Sequence, residues 1–297
     1  MHLGIVTPVV SLNPRFKIPE WELQGGMDEI VAVAEVADRL GYRWMGCPEH
    51  VAIPTKAADV RGGRYWDPVA TLAFVAARTT RISLMPHVVV LGYHHPLDIV
   101  KRYGTLDAAS GGRVILGVGV GSLRGEFRLL GATFEGRGEI ADDALAAIRA
   151  SFGRTTPSYN GAHFQFADVV VEPSGVQADV AIWVGGQSRR SLRRAVELGD
   201  GWVPFGLTHD QLGPMLAAPA VTDALAARTR PFDVVLAPEP PLDPVGDPAG
   251  AAGAVTLYAE LGATGLAVRF KHRSLQHYLE QLEAMVTVVE ATGAATP

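Results

Sequence analysis

The chain has 297 residues, of which 48% are hydrophobic and 19% charged, and its net charge is −5. This balance argues against nucleic acid as a partner, because binding to a phosphate backbone requires a basic face. A single cysteine excludes an intramolecular disulfide framework and fits a reducing cytoplasm. Since no apolar run approaches the roughly 18 residues of a membrane helix and no signal-peptide pattern is found, we expect a soluble, cytoplasmic protein.

Strand and helix patterns alternate along the whole chain. An aliphatic segment over 2–10 is followed by apolar residues at helical spacing from Met27 to Leu40, with Gly41 as the signal that ends the helix. Pro96 suits the first turn of a later helix. Further strands are predicted over 42–50, 81–91, 113–121, 180–186, 200–206, 232–239 and 265–272, each followed by a helical pattern.

This alternation predicts the fold class. Strictly alternating strands and helices require parallel strands joined by crossover helices. Eight such units favour an α/β fold in which residues 1–297 form a single (β/α)8 TIM barrel, and an open doubly wound sheet is the alternative. An insertion precedes the fifth strand, where Asn160-Gly161 predicts a type I′ hairpin turn between two short strands.

Three glycines share one face of the fourth predicted strand. Because alternate residues of a strand face opposite sides, Gly117, Gly119 and Gly121 point together into the barrel. Either bulky neighbours such as Trp44 and Trp183 fill that space, or a flat ligand lies against the backbone. The spacing does not match the G-x-G-x-x-G dinucleotide motif, because no glycine stands at the third position.

A better phosphate site follows the fifth predicted strand. The sequence WVGGQSRRSLRRA (183–195) ends a strand at Gly185-Gly186 and starts a helix that Ser188 is placed to cap. Backbone N–H groups and the helix dipole attract anions at such a terminus. An ordinary tight turn before a capped helix is the alternative interpretation.

Barrel enzymes place their chemistry at the C-terminal ends of the strands. A purely structural role is the alternative for the polar residues found there. A histidine at a strand end can serve only as a hydrogen-bonding group, and the R-x-E pattern of 124–126 can form a salt bridge. Neither a metal site nor a serine nucleophile is expected, because the zinc-binding and G-x-S-x-G patterns are missing.

The segment 52–67 is long enough for a substrate lid. The candidates by position are Glu49, His50, His87, Ser122, Arg124 and Glu126.

Several segments together resemble the bacterial luciferase-like flavin and deazaflavin oxidoreductases, in particular their coenzyme F420-dependent branch. The longest is RISLMPHVVVLGYHHPLDIVKRYGTLDAASGGRVILGVGVG (81–121). WMGCPEHV (44–51), SYNGAHFQF (158–166), IWVGGQS (182–188) and ELGDGWVP (197–204) extend the match over about residues 1–207. The resemblance implies a (β/α)8 barrel, usually a homodimer, that binds FMN or coenzyme F420 at its C-terminal mouth.

The resemblance also implies roles for individual residues. His50 matches a histidine beside the reactive face of the deazaflavin ring, residues 86–88 match a bend that is often a non-prolyl cis peptide, and 185–188 match the phosphate-binding turn. Ser122 stands where some relatives carry a catalytic glutamate, which leaves Glu126 to replace it. The predicted catalytic residues are His50 and Glu126, and the predicted cofactor-binding residues are Thr7, His50, Pro86, His87, Val88, Gly119, Gly121, Ser122, Gly185, Gly186, Gln187 and Ser188.

The resemblance therefore predicts an oxidoreductase that transfers a hydride between coenzyme F420 and a small organic substrate. In this interpretation His50 hydrogen-bonds the cofactor ring and donates a proton. One alternative is an FMN-dependent monooxygenase that receives reduced flavin and uses oxygen. Another is a non-catalytic flavin-binding protein.

Overall fold

The computed structural model describes residues 1–14 and 16–294. A separate two-stranded sheet is formed by β6 (Tyr159–Asn160) and β7 (Gln165–Phe166). The strands of the main sheet are β1 (His2–Val6), β2 (Trp44–Cys47), β3 (Ser83–Pro86), β4 (Val89–Val90), β5 (Leu116–Gly119), β8 (Ile182–Gly185), β9 (Gly201–Val203), β10 (Asp233–Leu236) and β11 (Gly265–Val268).

The main sheet confirms the predicted TIM-barrel-like fold. Its nine strands run in the order β3-β2-β1-β11-β10-β9-β8-β5-β4, with parallel pairing throughout. β3 and β4 are two halves of one strand position, and the ring closes because Leu84 in β3 pairs with Val114 while β4 pairs with β5. Every strand is shorter than its sequence pattern predicted; the first, expected over 2–10, ends at Val6.

The helices between the strands follow the predicted start and stop signals. Pro96 begins its helix, and Gly41 lies just beyond another with a φ of 80°. None of the helices in the described ranges has the length and hydropathy needed to cross a lipid bilayer. The helices are α1 (Glu20–Gln24), α2 (Met27–Arg39), α3 (Thr55–Arg61), α4 (Pro68–Ala76), α5 (Pro96–Ser110), α6 (Arg124–Leu129), α7 (Arg137–Ser151), α8 (Arg189–Leu198), α9 (His209–Leu216), α10 (Pro219–Ala226), α11 (Pro248–Glu260) and α12 (Leu275–Ala291).

Two predicted loops differ from their expected form. The segment 52–67 contains α3, and the backbone N–H of Trp66 donates to the carbonyl of Val10, so its C-terminal end is tied to the chain after β1. The hairpin before β8 is present, but four residues, 161–164, connect its strands and neither residue of the Asn160-Gly161 pair has a positive φ. The expected type I′ turn is therefore wrong. The Asp143 carboxylate holds the longer loop by accepting two backbone N–H bonds from it, at 2.7 and 2.9 Å.

The barrel interior has its own apolar cluster, separate from the core between sheet and helices. Trp44 covers Gly4, and Trp183 covers Gly201. The two indole rings meet edge to face with 5.1 Å between their centroids. Both residues lie near the N-terminal ends of their strands, so they fill that end of the barrel. The buried members of the cluster are Trp44, Met85, Ile115, Trp183, Val203, Val235 and Ala267.

The glycines of β5 point into the barrel, as their parity predicts, but they face the neighbouring strand. A Cβ on Gly117 would lie 2.1 Å from the carbonyl oxygen of Pro86, and one on Gly119 would lie 2.6 Å from Cγ2 of Val88. The chain between β3 and β4, which contains a cis peptide between His87 and Val88, occupies the space beside both glycines. The tryptophans considered for this face fill other positions.

Replacing Gly119 by alanine tests this packing. Because the added Cβ would lie 2.6 Å from Val88, we expect the free energy of unfolding to fall by about 1–3 kcal/mol. Chemical denaturation measures the change. Gly253→Ala is the matched control, since a Cβ there meets no atom within 4 Å and alanine favours the α11 helix. A Gly119→Ala protein as stable as the wild type would show that the bend does not need the glycine.

Candidate functional site

A histidine and a buried glutamate form the centre of the candidate site. His50 follows β2, and its Nδ1 lies 2.6 Å from Oε2 of Glu126 in α6. Glu126 is fully buried, whereas 17% of the His50 side chain is exposed. The two residues that the sequence predicts to be catalytic are therefore in direct contact, and of the two only the histidine reaches solvent.

Four hydrogen bonds hold the Glu126 carboxylate. Oε1 accepts from the backbone N–H groups of Val51 and Ala52 at 2.7 and 3.1 Å, and Oε2 accepts from the Tyr93 hydroxyl at 2.8 Å as well as from His50. Burial works to raise the pKa of this carboxyl, but the hydrogen bonds outweigh it and hold the pKa of Glu126 below its usual value. Glu126 is therefore ionised at neutral pH.

The ionised carboxylate determines the state of the His50 ring. A carboxylate only accepts hydrogen bonds, so Nδ1 of His50 carries the proton of the bond to Glu126. Nε2 makes no hydrogen bond to any other described residue, and the Tyr65 ring packs edge to face against the imidazole at 4.5 Å. His50 thus presents Nε2 as an acceptor when neutral and as a donor when protonated.

A second buried glutamate anchors the segment after the β3 bend. Oε2 of Glu49 accepts from the backbone N–H of Val90 at 2.7 Å, and Oε1 lies 2.8 Å from Nε2 of His94. Glu49 is 5% exposed. Because Val90 lies in β4, this carboxylate fixes the C-terminal half of the divided strand beside the candidate site.

The bend itself lies where the family resemblance placed it. The peptide between His87 and Val88 is cis. The two methyl groups of Val88 face Gly119 on β5 and Gly185 on β8. A Cβ added to Gly119 would lie 2.6 Å from one methyl group, and a Cβ added to Gly185 would lie 2.9 Å from the other. Three of the predicted cofactor-binding residues are therefore packed together at the mouth of the barrel.

His87 lies on the other side of the bend, above β2. A Cβ on Gly46 would lie 2.9 Å from Nδ1 of His87, so the glycine makes room for the imidazole. Burial, helped by the positive charge of Arg269, lowers the pKa of His87 to about 4. His87 is therefore neutral at physiological pH.

The predicted phosphate turn has the geometry of a capped helix N-terminus. Ser188 caps α8, its Oγ accepting from the backbone N–H of Ser191 at 3.2 Å. Gly186 has a φ of 120°, in the region that favours glycine, and a Cβ there would lie 2.8 Å from Cβ of Ser191. Residues 187–190 are exposed. The N-terminal N–H groups and dipole of this helix suit an anion.

The remaining predicted site residues lie around the same mouth. Thr7 follows β1, and its hydroxyl is buried without a hydrogen-bond partner in the described part of the chain. The Gly121 carbonyl accepts from Nε of Arg137 at 3.0 Å, and the Ser122 hydroxyl lies 3.3 Å from Nη2 of Arg61. Ser122 therefore contacts α3, within the segment predicted to be a lid.

The sequence did not indicate one residue of the site, and it suggested the wrong salt-bridge partner for another. Tyr93, which donates to Glu126, lies in the run LGYHH, where no periodicity or motif marks it. Arg124 does not form the salt bridge with Glu126 that its spacing suggested; it pairs with Glu135. This leaves the Glu126 carboxylate to its four neutral or histidine donors.

Comparison with known proteins identifies the family. The Luciferase-like monooxygenase family matches residues 7–265, and the chain belongs to it. An uncharacterized protein of Mycobacterium tuberculosis is 28% identical over 269 residues, which are 85% of this chain and 92% of that protein.

Solved structures share the fold at low sequence identity. Monooxygenase RslO1 from Streptomyces bottropensis has a TM-score of 0.76 at 20% identity, covering 98% of this chain and 99% of that one. The coenzyme F420-dependent tetrahydromethanopterin reductase of Methanopyrus kandleri has a TM-score of 0.70 at 15% identity, covering 95% and 97%. The oxygenating constituent of Pseudomonas putida 3,6-diketocamphane monooxygenase, in complex with FMN, has a TM-score of 0.72 at 16% identity, covering 97% and 98%. Proteins of this fold thus use either F420 or FMN.

Removing the charge of Glu126 tests the hydrogen-bond network. In Glu126→Gln the buried amide group meets donors that the carboxylate had accepted from, so we expect the free energy of unfolding at pH 7 to fall by about 1.5–3 kcal/mol. Glu139→Gln, at an exposed position of α7, is the control and is expected to change stability by less than about 0.5 kcal/mol.

The same pair of proteins gives a pH test. Because folding lowers the pKa of Glu126, its stabilisation is fully present above the unfolded pKa of about 4.3 and is lost as the pH falls through the lower folded value. Denaturation at several pH values should show a constant difference between wild type and Glu126→Gln above about pH 5.5, which shrinks in more acidic solution. A difference that does not depend on pH would mean that Glu126 is not ionised in the folded protein.

Proposed function

We propose that this chain is a coenzyme F420-dependent oxidoreductase that transfers a hydride between the cofactor and a small organic substrate. The observation that supports it is the state of His50. A buried, ionised Glu126 holds the proton on Nδ1 and leaves Nε2 without a partner among the described residues. An oriented histidine of this kind is what the deazaflavin branch of the family places beside its cofactor ring.

The residues around the mouth fit such a cofactor. The capped N-terminus of α8 would hold its phosphate, and Arg189 and Arg190, both exposed there, add positive charge for its anionic tail. The buried Thr7 hydroxyl, which lacks a partner in the described chain, would hydrogen-bond the polar edge of a ring. Val88, held between Gly119 and Gly185, would support that ring from below.

The bound deazaflavin supplies the carbon centre that accepts or gives up the hydride. The protein's part is the proton. When a hydride leaves the carbon of an alcohol, its oxygen must lose a proton, and Nε2 of neutral His50 is the acceptor; in the reverse direction the protonated ring returns it. Glu126 is 0% exposed and bonds only to protein groups, so we assign it the role of positioning His50.

An FMN-dependent monooxygenase is the second candidate. It is favoured by the family's name and by the shared fold of the Pseudomonas putida monooxygenase that holds FMN. The N-terminus of α8 suits the FMN phosphate equally well, so this turn does not distinguish the two cofactors. As the resemblance implied, we also propose a homodimer, which light scattering of the purified protein tests.

Titration of the purified protein with each cofactor tests the proposal. We expect F420 to bind at least tenfold more tightly than FMN, measured by absorbance and fluorescence. Binding of FMN without F420 would contradict the proposal and favour the monooxygenase. A bound cofactor that no donor or acceptor reduces or oxidises would favour a flavin-binding protein.

Removing the two arginine charges at the α8 turn tests whether they contribute to binding of the cofactor. In the double variant Arg189→Gln/Arg190→Gln we expect about three- to tenfold weaker F420 binding at low ionic strength, with less loss at high salt because surface charges are screened. Arg39→Gln removes an exposed charge at the end of α2, on the opposite end of the barrel, and is expected to bind as the wild type does. Equal loss in both variants would point to a general charge effect.

A further inference from the structure

Two pairs of adjacent residues are joined by side-chain hydrogen bonds beside the candidate site. Glu49 and His50 follow β2, whereas Tyr93 and His94 follow β4. His94 contacts Glu49, and both His50 and Tyr93 contact Glu126, at distances of 2.6–2.8 Å. Together with the peptide links inside the two pairs, these three contacts close a loop of five residues, which we call the closed network.

His50 and Tyr93 meet at one oxygen of Glu126. Oε2 lies 2.6 Å from Nδ1 of His50 and accepts from the Tyr93 hydroxyl at 2.8 Å, while Oε1 accepts from the backbone of the loop after β2. Because both side chains bond to the same atom, the Tyr93 hydroxyl limits the positions that the carboxylate can take. Tyr93 therefore acts on His50 through Glu126.

Apolar packing holds α6 against the turn Leu91–Tyr93. Phe127, in α6, is fully buried, and its ring packs against that of Tyr93 with centroids 4.8 Å apart. A Cβ on Gly92 would lie 2.7 Å from Cε1 of Phe127, and one on Gly121 would lie 2.6 Å from Cε2, so both glycines make room for this ring. A shift of α6 relative to the turn would open this packing, which gives the closed network a stiff side.

The other side of the closed network reaches the bend between β3 and β4. Nε2 of His94 lies 2.8 Å from Oε1 of Glu49, whose Oε2 accepts from the backbone N–H of Val90 at 2.7 Å. Val90 stands two residues after Val88, which packs against β5 and β8. Nδ1 of His94 lies 3.4 Å from Asp98, so the imidazole also connects this side to α5.

We propose that Tyr93 and His94 are positioning residues that couple the bend at Val88 to His50. Tyr93 acts through Glu126 and His94 acts through Glu49, and the peptide link between them carries the coupling. We assign neither side chain a contact with substrate or cofactor.

The use of this coupling rests on the proposed function. There Val88 supports the cofactor and His50 exchanges the proton, so the closed network keeps the proton acceptor at a fixed distance from the carbon that takes the hydride. The coupling itself is a property of the chain and is measured without cofactor.

Amide hydrogen exchange, followed by NMR on the cofactor-free protein, tests the coupling. In Tyr93→Phe we expect the backbone N–H of Val90 to exchange about three- to tenfold faster, although the lost hydroxyl bonds to Glu126 on the other side of the closed network. Tyr159→Phe is the matched control, because its hydroxyl also donates to a carboxylate, at 2.7 Å, but outside the network. Unchanged exchange of Val90, or an increase no larger than that of Leu236 in β10, would overturn the proposal.

The reverse direction uses His94. In His94→Leu the N–H groups of Val51 and Ala52, which Glu126 binds, should exchange about three- to tenfold faster. His94→Gln is expected to restore slow exchange, because the glutamine amide donates to Glu49 from about the position of the imidazole Nε2. A histidine that only fills space would be replaced by leucine as well as by glutamine, and that result would contradict the assignment.

The Nδ1 proton of His50 gives a spectroscopic test. In Tyr93→Phe its 1H resonance should move downfield, because Oε2 of Glu126 loses its second donor and the bond that remains becomes stronger. In Tyr159→Phe it should not move. An unchanged resonance in Tyr93→Phe would mean that the tyrosine does not act on His50 through the carboxylate.

The coupling and the proposed function fail separately. Exchange that changes on both sides of the closed network, in a protein that binds neither F420 nor FMN, would sustain the coupling and reject the proposed function. Tight F420 binding by a protein in which each substitution changes exchange only on its own side would do the reverse.

Discussion

The candidate site depends on one buried negative charge, the carboxylate of Glu126. A carboxylate removed from water is stable only where hydrogen bonds replace its hydration. Here the donors come from the loop after β2 and from Tyr93, which follows β4, while the carboxylate itself lies on α6. Three segments that are distant in sequence therefore meet at a single group, and the orientation of His50 follows from that meeting.

The glycines of β5 serve the same arrangement through packing. Because Gly117 and Gly119 carry no side chains, the divided strand β3–β4 lies close against β5, and Glu49 then fixes its second half through Val90. The empty face that the sequence shows is thus filled by the neighbouring backbone. The cofactor proposed for this site would contact Val88, which that backbone presents.

Much of the fold follows from local sequence patterns, and the site follows only in part. Strand–helix alternation and side-chain parity are local properties, so the eightfold barrel and the inward direction of Gly119 were predictable. The group that fills the space beside this glycine was not, because it comes from a strand more than 25 residues earlier. Position alone made Glu126 a candidate, but its burial and its bond with Tyr93 depend on tertiary contacts. At the hairpin, the Asp143 side chain overrides the turn preference of Asn160-Gly161.

The most direct test of this account is the protonation of the His50 ring. Long-range 1H–15N NMR correlations, assigned by comparison with the His50→Gln variant, distinguish the two ring nitrogens at a pH where the ring is neutral. The account predicts a proton on Nδ1, an unprotonated Nε2, and a change in the Nε2 resonance when F420 is added. A neutral ring with its proton on Nε2, or an Nε2 resonance that no cofactor changes, would contradict it.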